Sequence, residues 1–240
     1  MHIFNLLITL KTKPMKGILT VVLMLTACLL VNAQSYKGSG GAFSVGIQSV
    51  TDKNLPLVTQ SGGDIPDVAL NFGGYFYWQF GRWTLGAKLY GLSASKTDNA
   101  NFEQSLSAGA AMAELGYKIV YSEKNAFYPF IGAGYAAINY QVDIKSDVHI
   151  GMPRNLWTSG SFLHTFNVFD VGARWEHFIC FNNKEATAGL IGLEAGYQFT
   201  PAGNNWKTNG GGDLIGVSED YNFNGWFVKF TFGGFNGMFE

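Results

Sequence analysis

The sequence predicts an all-β protein: an eight-stranded antiparallel up-and-down transmembrane β-barrel preceded by a cleaved signal peptide. Three observations carry this. One long hairpin has an apolar face and a polar face nearly free of charge. Eight segments alternate in the same way. The connections between them run long, short, long, short, long, short, long, the asymmetry of barrels with long outside loops and short periplasmic turns.

The hairpin is Val68 to Leu92, VALNFGGYFYWQFGRWTLGAKLYGL, turning at Gly81-Arg82. Gly in the first central position suits a two-residue type II′ turn. That turn sets Phe80 against Trp83, Trp78 against Leu85, Phe76 against Ala87 and Gly74 against Leu89 on one face. The other face pairs Gln79 with Thr84, Tyr77 with Gly86, Tyr75 with Lys88 and Gly73 with Tyr90. A slip of one residue would mix the two sets. A solvated face would carry many charges, and this one has a single Lys. Trp78, Phe80 and Trp83 cluster beside the turn, as aromatic rings do at a membrane interface. Each strand reaches the roughly 9–11 residues that cross a bilayer at a tilt.

Composition agrees. The chain has 240 residues, 15% aromatic, 14% charged, with 31 Gly and a net charge of -1; soluble domains average about 25% charged. Near-neutrality argues against nucleic acid as a partner. Residues 1–33 read as a secretory signal: Lys16, the apolar run Gly17 to Val31, and cleavage after Ala33, with Met15 as a candidate start. The apolar run is shorter than the roughly 18–20 residues of a membrane helix. Leu25-Thr26-Ala27-Cys28 resembles a lipoprotein cleavage box, which leaves lipidation of Cys28 as an alternative. If Cys28 leaves with the signal, Cys180 is the one cysteine in the barrel domain, 34–240.

The remaining elements follow in order. Gly40 to Val50 sets Phe43, Val45 and Ile47 against Ser44, Gly46 and Gln48, and Ser49 to Asp67 is a polar connection. After the hairpin, Ser95 to Gln104 has loop chemistry. Ser105 to Tyr121 sets Leu115, Tyr117, Ile119 and Tyr121 outward against Glu114, Gly116 and Lys118. Phe127 to Val142 is expected to point Tyr128, Phe130, Ile138, Tyr140 and Val142 outward, so that Asn139 and Gln141 avoid lipid. Asp143 to Thr165 is a long connection. Phe166 to Ile179 sets Phe169, Val171, Ala173 and Trp175 against Asp170, Gly172, Arg174 and Glu176. Ala186 to Phe199 sets Ile191, Leu193, Ala195, Tyr197 and Phe199 against Glu194, Gly196 and Gln198. Thr200 to Asp220 is long and rich in Gly and Asn. Tyr221 to Phe235 sets Trp226, Val228, Phe230 and Phe232 against Gly225, Lys229 and Thr231.

YFYWQFG at 75–81, FYPFIGAGY at 127–135, GWFVKFTFG at 225–233 and the signal ending Ala33-Gln34 carry a resemblance. The chain resembles the small eight-stranded outer-membrane β-barrel superfamily of Gram-negative bacteria, closest in style to the Bacteroidota-type outer membrane protein β-barrel domain. The resemblance implies a porin-like barrel in the cell outer membrane, with outer-membrane lipid and the barrel-assembly machinery as partners. Such barrels often finish on an aromatic residue. Here Gly233 to Glu240 extends past the alternating run, and Phe232 or Phe239 would serve as the assembly signal.

The inward positions hold Lys88, Lys118, Arg174 and Lys229 against Glu114, Asp170, Glu176 and Glu194, a formally neutral lumen. An ion-gating network or proton path is one reading. A structural plug is the reading favoured by geometry, since an eight-stranded interior is just wide enough for side chains to fill it. Trp78, Phe80, Trp83, Trp175 and Trp226 are expected at the membrane interfaces. No His-x-Ser pair within a strand, Gly-x-Ser-x-Gly, paired cysteines or His-Glu-x-x-His spacing occurs. No catalytic residue, cofactor or metal is therefore expected, and the chain reads as a non-enzyme. His149 and His164 fall in the connection 143–165, and His177 outward beside Trp175. Met152, Leu156, Trp157 and Phe162 make 143–165 unusually apolar, and with 200–220 it is a candidate surface for an extracellular ligand or protein. The expected role is structural or surface-binding, for a monomer. A narrow channel for small or hydrophobic solutes or an accessory of a secretion machine is the alternative, and a lipid-modifying barrel enzyme stands behind both.

Overall fold

A computed structural model describes residues 37–50, 67–98, 102–122, 124–144, 160–182, 187–201, 207–208 and 224–238. The signal segment 1–33 with Cys28, most of the connection 143–165 with His149, Met152, Leu156 and Trp157, most of 200–220, and Phe239 lie outside the described residues.

Eight long strands form: β1 (Lys37–Ser49), β2 (Val68–Phe80), β3 (Trp83–Asp98), β4 (Phe102–Tyr117), β5 (Asn125–Ile144), β6 (Gly160–Asn182), β7 (Thr187–Phe199) and β8 (Gly225–Met238). Each pairs antiparallel with its neighbours in sequence, and β8 pairs with β1 from Lys37↔Met238 to Gln48↔Phe227. The sheet closes on itself. Closure leaves no strand edge in the lipid, which is the condition for a sheet to span a bilayer. The outward positions form an apolar belt, with Phe43, Leu89 and Phe230 each more than 60% exposed. The chain is a closed eight-stranded β-barrel with the apolar exterior of one that spans a membrane.

The β2–β3 hairpin has the register that its turn dictates: Phe80↔Trp83, Trp78↔Leu85, Tyr75↔Lys88 and Gly73↔Tyr90. Gly81 has φ of 60°, the value that favours glycine in the first turn position. The Gln79 side chain donates from inside the lumen to the Gly81 carbonyl at 2.9 Å, which ties the turn to the interior.

Three expectations need correction. First, β5 has the opposite facing. Tyr128, Phe130, Ile138 and Tyr140 are buried inside, while Phe127, Ile131 and Tyr135 face out. The cause is registry. Gly132 sits between Glu114 of β4 and Asp170 of β6, and paired residues share a face, so the even-numbered positions must point inward. Asn139 and Gln141 need no shelter because they lie toward the extracellular end. There Asn139 accepts a hydrogen bond from Ser161 and Gln141 donates to Asp143.

Second, strands run further than the polarity of their ends suggests. β3 and β4 continue to the pair Asp98↔Glu103, so residues 95–98 and 102–104 of the expected loop Ser95–Gln104 are strand. β5 and β6 likewise take residues 143–144 and 160–165 from the expected connection, with His164 buried and Phe162 in the strand. A two-residue strand, Lys207–Thr208, pairs with Phe162 and Leu163. β8 also passes Phe235 and reaches Met238.

Third, β4 ends at Tyr117. The Lys118 amide donates to the Arg82 carbonyl and the Ile119 amide to that of Phe127. Pairing then resumes as Val120↔Phe127 and Tyr121↔Ala126. Ile119 and Val120 are thus two successive outward residues. The phase shifts by one, and Tyr121 turns toward the lumen instead of the lipid.

The β5 facing is directly testable. In a background lacking Cys180, cysteine at Ile131 should react with a lipid-soluble maleimide, whereas cysteine at Phe130 should be protected in the folded barrel. Labelling in the opposite order would restore the phase inferred from sequence.

Candidate functional site

The site is the barrel interior, built by inward positions of all eight strands. Strand pairing alone makes part of it. Lys229 of β8 lies opposite Glu194 of β7, and Glu194 lies opposite Arg174 of β6, a row of alternating charge across three strands. Lys88, Glu114 and Asp170 reach this row across the lumen.

Arg174 is the hub. Its Nη1 and Nη2 donate to Glu114 Oε1 and Oε2 at 2.8 and 3.1 Å. Nη2 and Nε also donate to Glu194 Oε2 at 2.7 and 3.1 Å, and Nη1 reaches the Tyr128 hydroxyl at 3.1 Å. The guanidinium plane lies 3.7 Å from the Tyr75 ring centre. Only a planar fork can serve two carboxylates in this way. Lys88 occupies the other side of the same carboxylates: 2.5 Å from Asp170, 3.3 Å from Glu194 and 3.6 Å from Glu114. Lys229 Nζ is 3.8 Å from Glu194. Three cations therefore meet three carboxylates in one layer.

A second layer lies on the periplasmic side. Glu176 accepts hydrogen bonds from Tyr75 at 2.9 Å, Tyr128 at 2.7 Å and Tyr77 at 3.0 Å. Lys118, at the foot of β4, is 3.8 Å from Glu176 and donates to Gln79 at 2.9 Å. The rings of Tyr77, Tyr121, Tyr128, Phe178 and Phe235 surround its ammonium at 4.7–5.5 Å. Cation–π contacts of this kind strengthen when water is excluded. Glycine makes room for the rings: a Cβ on Gly40 would meet the Tyr77 ring at 2.6 Å, so no larger residue fits there. On the extracellular side an amide ladder completes the filling. Asn71 donates to Gln48 at 2.7 Å, Gln48 to Gln198 at 3.1 Å, and Tyr90 also donates to Gln198.

The structure thus brings together all eight charged positions read from sequence, and Lys88, Lys118, Arg174, Glu176, Glu194 and Lys229 are each at most 1% exposed. Sequence reading missed Tyr128, which the inverted β5 hid, and the inward turn of Tyr121. Of the aromatic positions, Trp78, Phe80 and Trp83 are exposed at the periplasmic end of the hairpin, and Trp226 at the opposite end. Trp175 is exposed and stacks on His177, whose Nδ1 lies 3.0 Å from Asn125 Oδ1.

No protein-family model matches the chain, and no curated protein matches it. Several solved structures do. Ail, the attachment invasion locus protein of Yersinia pestis, is 9% identical over 85% of this chain and 99% of that one, with a TM-score of 0.41. Neisserial surface protein A is 12% identical over 84% and 96%, at 0.38. The outer membrane protease OmpT from Escherichia coli is 9% identical over 85% and 97%, at 0.35. At these identities the likeness concerns architecture alone, and the barrel assignment rests on the strand pairings. The expectation of a non-enzyme is corrected here: a protease stands among the matched barrels, so the architecture does not exclude catalysis.

Removing Arg174 tests the network. Arg174→Ala leaves Glu114 and Glu194 buried without their main partner, a change that costs about 3–5 kcal/mol when a buried pair is broken. The urea midpoint of the refolded barrel should fall accordingly. Arg174→Lys should recover only part of the loss, because an ammonium cannot bridge both carboxylates bidentately.

Proposed function

We propose that this barrel is a sealed membrane scaffold with a structural or surface-binding role, and that its working parts are the extracellular connections. The observation that supports it is the filled lumen. A charged layer of six side chains and a Lys118–aromatic layer lie one beneath the other, and both are almost wholly buried. Buried charges this well paired are expensive to separate, so a path for ions would have to break both layers.

The connections 143–165 and 200–220, apart from the residues that β5, β6 and the Lys207–Thr208 strand take from them, are the segments in which an extracellular ligand or protein partner is expected. The β3–β4 and β5–β6 strand extensions, which reach Asp98↔Glu103 and Val142↔Gly160, hold their side of the barrel mouth on paired backbone. The reading includes a monomer in contact with outer-membrane lipid, delivered by the barrel-assembly machinery. The finer kinship, with the Bacteroidota-type domain, is part of the same proposal and rests on the sequence motifs alone.

Planar-bilayer recordings of the refolded protein test it. The sealed scaffold predicts a silent membrane, without discrete openings, across the voltage range in which the bilayer itself is stable. Regular single-channel steps, altered in selectivity by Lys88→Met or Glu194→Gln, would make transport the function instead.

A further inference from the structure

The lipid-facing wall carries a recess of about 440 Å³. Its floor follows from strand pairing. Ala113 of β4 lies opposite Ala133 of β5, and Ala87 of β3, paired with Ala113, extends the row of small residues beyond the recess. The row continues as Ala133↔Phe169 and ends at Phe169↔Phe199, two rings stacked at 5.5 Å and 16°. The next row toward the periplasm, Leu85, Leu115, Ile131 and Val171, is exposed and bulky and forms a continuous rim. The recess is thus a depression over Ala113 and Ala133 in the membrane-facing surface, closed at one end by the Phe169 and Phe199 rings. Its volume is roughly three times the 150 Å³ that encloses a benzene ring in a protein interior.

The groove has a direction. It runs across the strands, and barrel strands are tilted and staggered, so a line of paired residues climbs as it goes round. Ala113 lies four residues before Tyr117, the last residue of β4 at its periplasmic end. Phe199 is the last residue of β7, next to the extracellular connection. The groove therefore starts in the periplasmic half of the wall and rises toward the Phe169–Phe199 pair. Beside its upper part, Tyr135 and Asn167 are directly paired, outward-facing and exposed. They bring polar groups to the extracellular edge of the groove.

We propose that this groove seats one acyl chain of a lipid from the extracellular leaflet. The chain's methyl end lies over Ala113 and Ala87, and its ester end lies near Tyr135, Asn167 and the Phe169–Phe199 pair. The groove is continuous with the lipid-contacting belt, so hydrocarbon is the material that meets it. A narrow trough loses contacts on both sides if its filling is mobile, which favours one ordered chain over exchanging ones. The slope places the polar end where a headgroup of that leaflet lies, and the two polar side chains give it hydrogen-bond partners. The site does not depend on whether the lumen is sealed.

Photocrosslinking of the full barrel in phosphatidylcholine nanodiscs tests this. Two probe lipids carry a diazirine on one chain, either near the ester or near the terminal methyl. The ester-proximal probe should label residues around Phe169, Phe199 and Tyr135, and the terminal probe those around Ala113 and Ala87. Both yields should exceed labelling of the opposite wall, around Val45 and Phe230, several-fold. Ala113→Leu with Ala133→Leu adds apolar bulk to a lipid-facing surface and should fold, with the excess labelling lost. Uniform labelling around the barrel would overturn the proposal, as would the reverse gradient, which means a chain from the periplasmic leaflet. Crosslinked dimers through this face would assign the groove to a second copy and overturn it equally.

Discussion

The structure depends on one interaction: Arg174 held in a fork between Glu114 and Glu194. Both carboxylates are also touched by Lys88, and Glu194 by Lys229. No member can be removed without leaving an opposite charge in a medium of low dielectric, where orphaned charge is far more costly than in water. The tyrosines extend the same logic. Tyr128 bonds both Arg174 and Glu176, so the charged layer and the periplasmic layer share a residue. The lumen is one network, and its filling is what makes a small barrel a solid body.

That interior is the counterpart of the outer wall. The membrane demands closure and an apolar exterior, and period-2 alternation then puts every second residue of each strand inside. With eight strands the inside is too narrow for a water column and too polar for an apolar core. Lysine, arginine, carboxylates and tyrosines, cut to fit by inward glycines such as Gly40 and Gly116, satisfy both limits. The same economy of side-chain size acts outside, where three aligned alanines thin the wall without weakening its backbone pairing.

Legibility in the sequence followed the contrast between faces. The β2–β3 hairpin was readable to the residue because large aromatics and polar side chains alternate strictly around a turn that only one register allows. Asp170 and Arg174 were readable as inward because apolar neighbours bracket them, and Glu176 because it keeps their phase. β5 was not, since Gly132, Ala133, Gly134, Ala136 and Ala137 give neither phase an apolar excess, and the bulky residues at its ends suit either face. Its facing is decided by its neighbours, through the pairing of Gly132 with Glu114 and Asp170. Strand ends were misread for another reason. Lys96, Asp98 and Glu103 have loop chemistry, yet outside the bilayer a strand has no need to be apolar. The one-residue shift at Ile119 left no mark in composition, and it carried Tyr121 from the expected lipid face to the side of Lys118.

A double-mutant cycle between Lys88 and Asp170, whose charged atoms are 2.5 Å apart, tests the central claim of a mutually compensated lumen. Lys88→Met, Asp170→Leu and the double variant would be compared by urea unfolding of the refolded barrel in one detergent. Compensation predicts that the double variant is more stable than the sum of the singles implies, by about 1–3 kcal/mol, the coupling seen between residues of one network. Single effects that add to within about 0.5 kcal/mol, as independent sites do, would mean that water screens these charges, and the picture of a packed, closed interior would be contradicted.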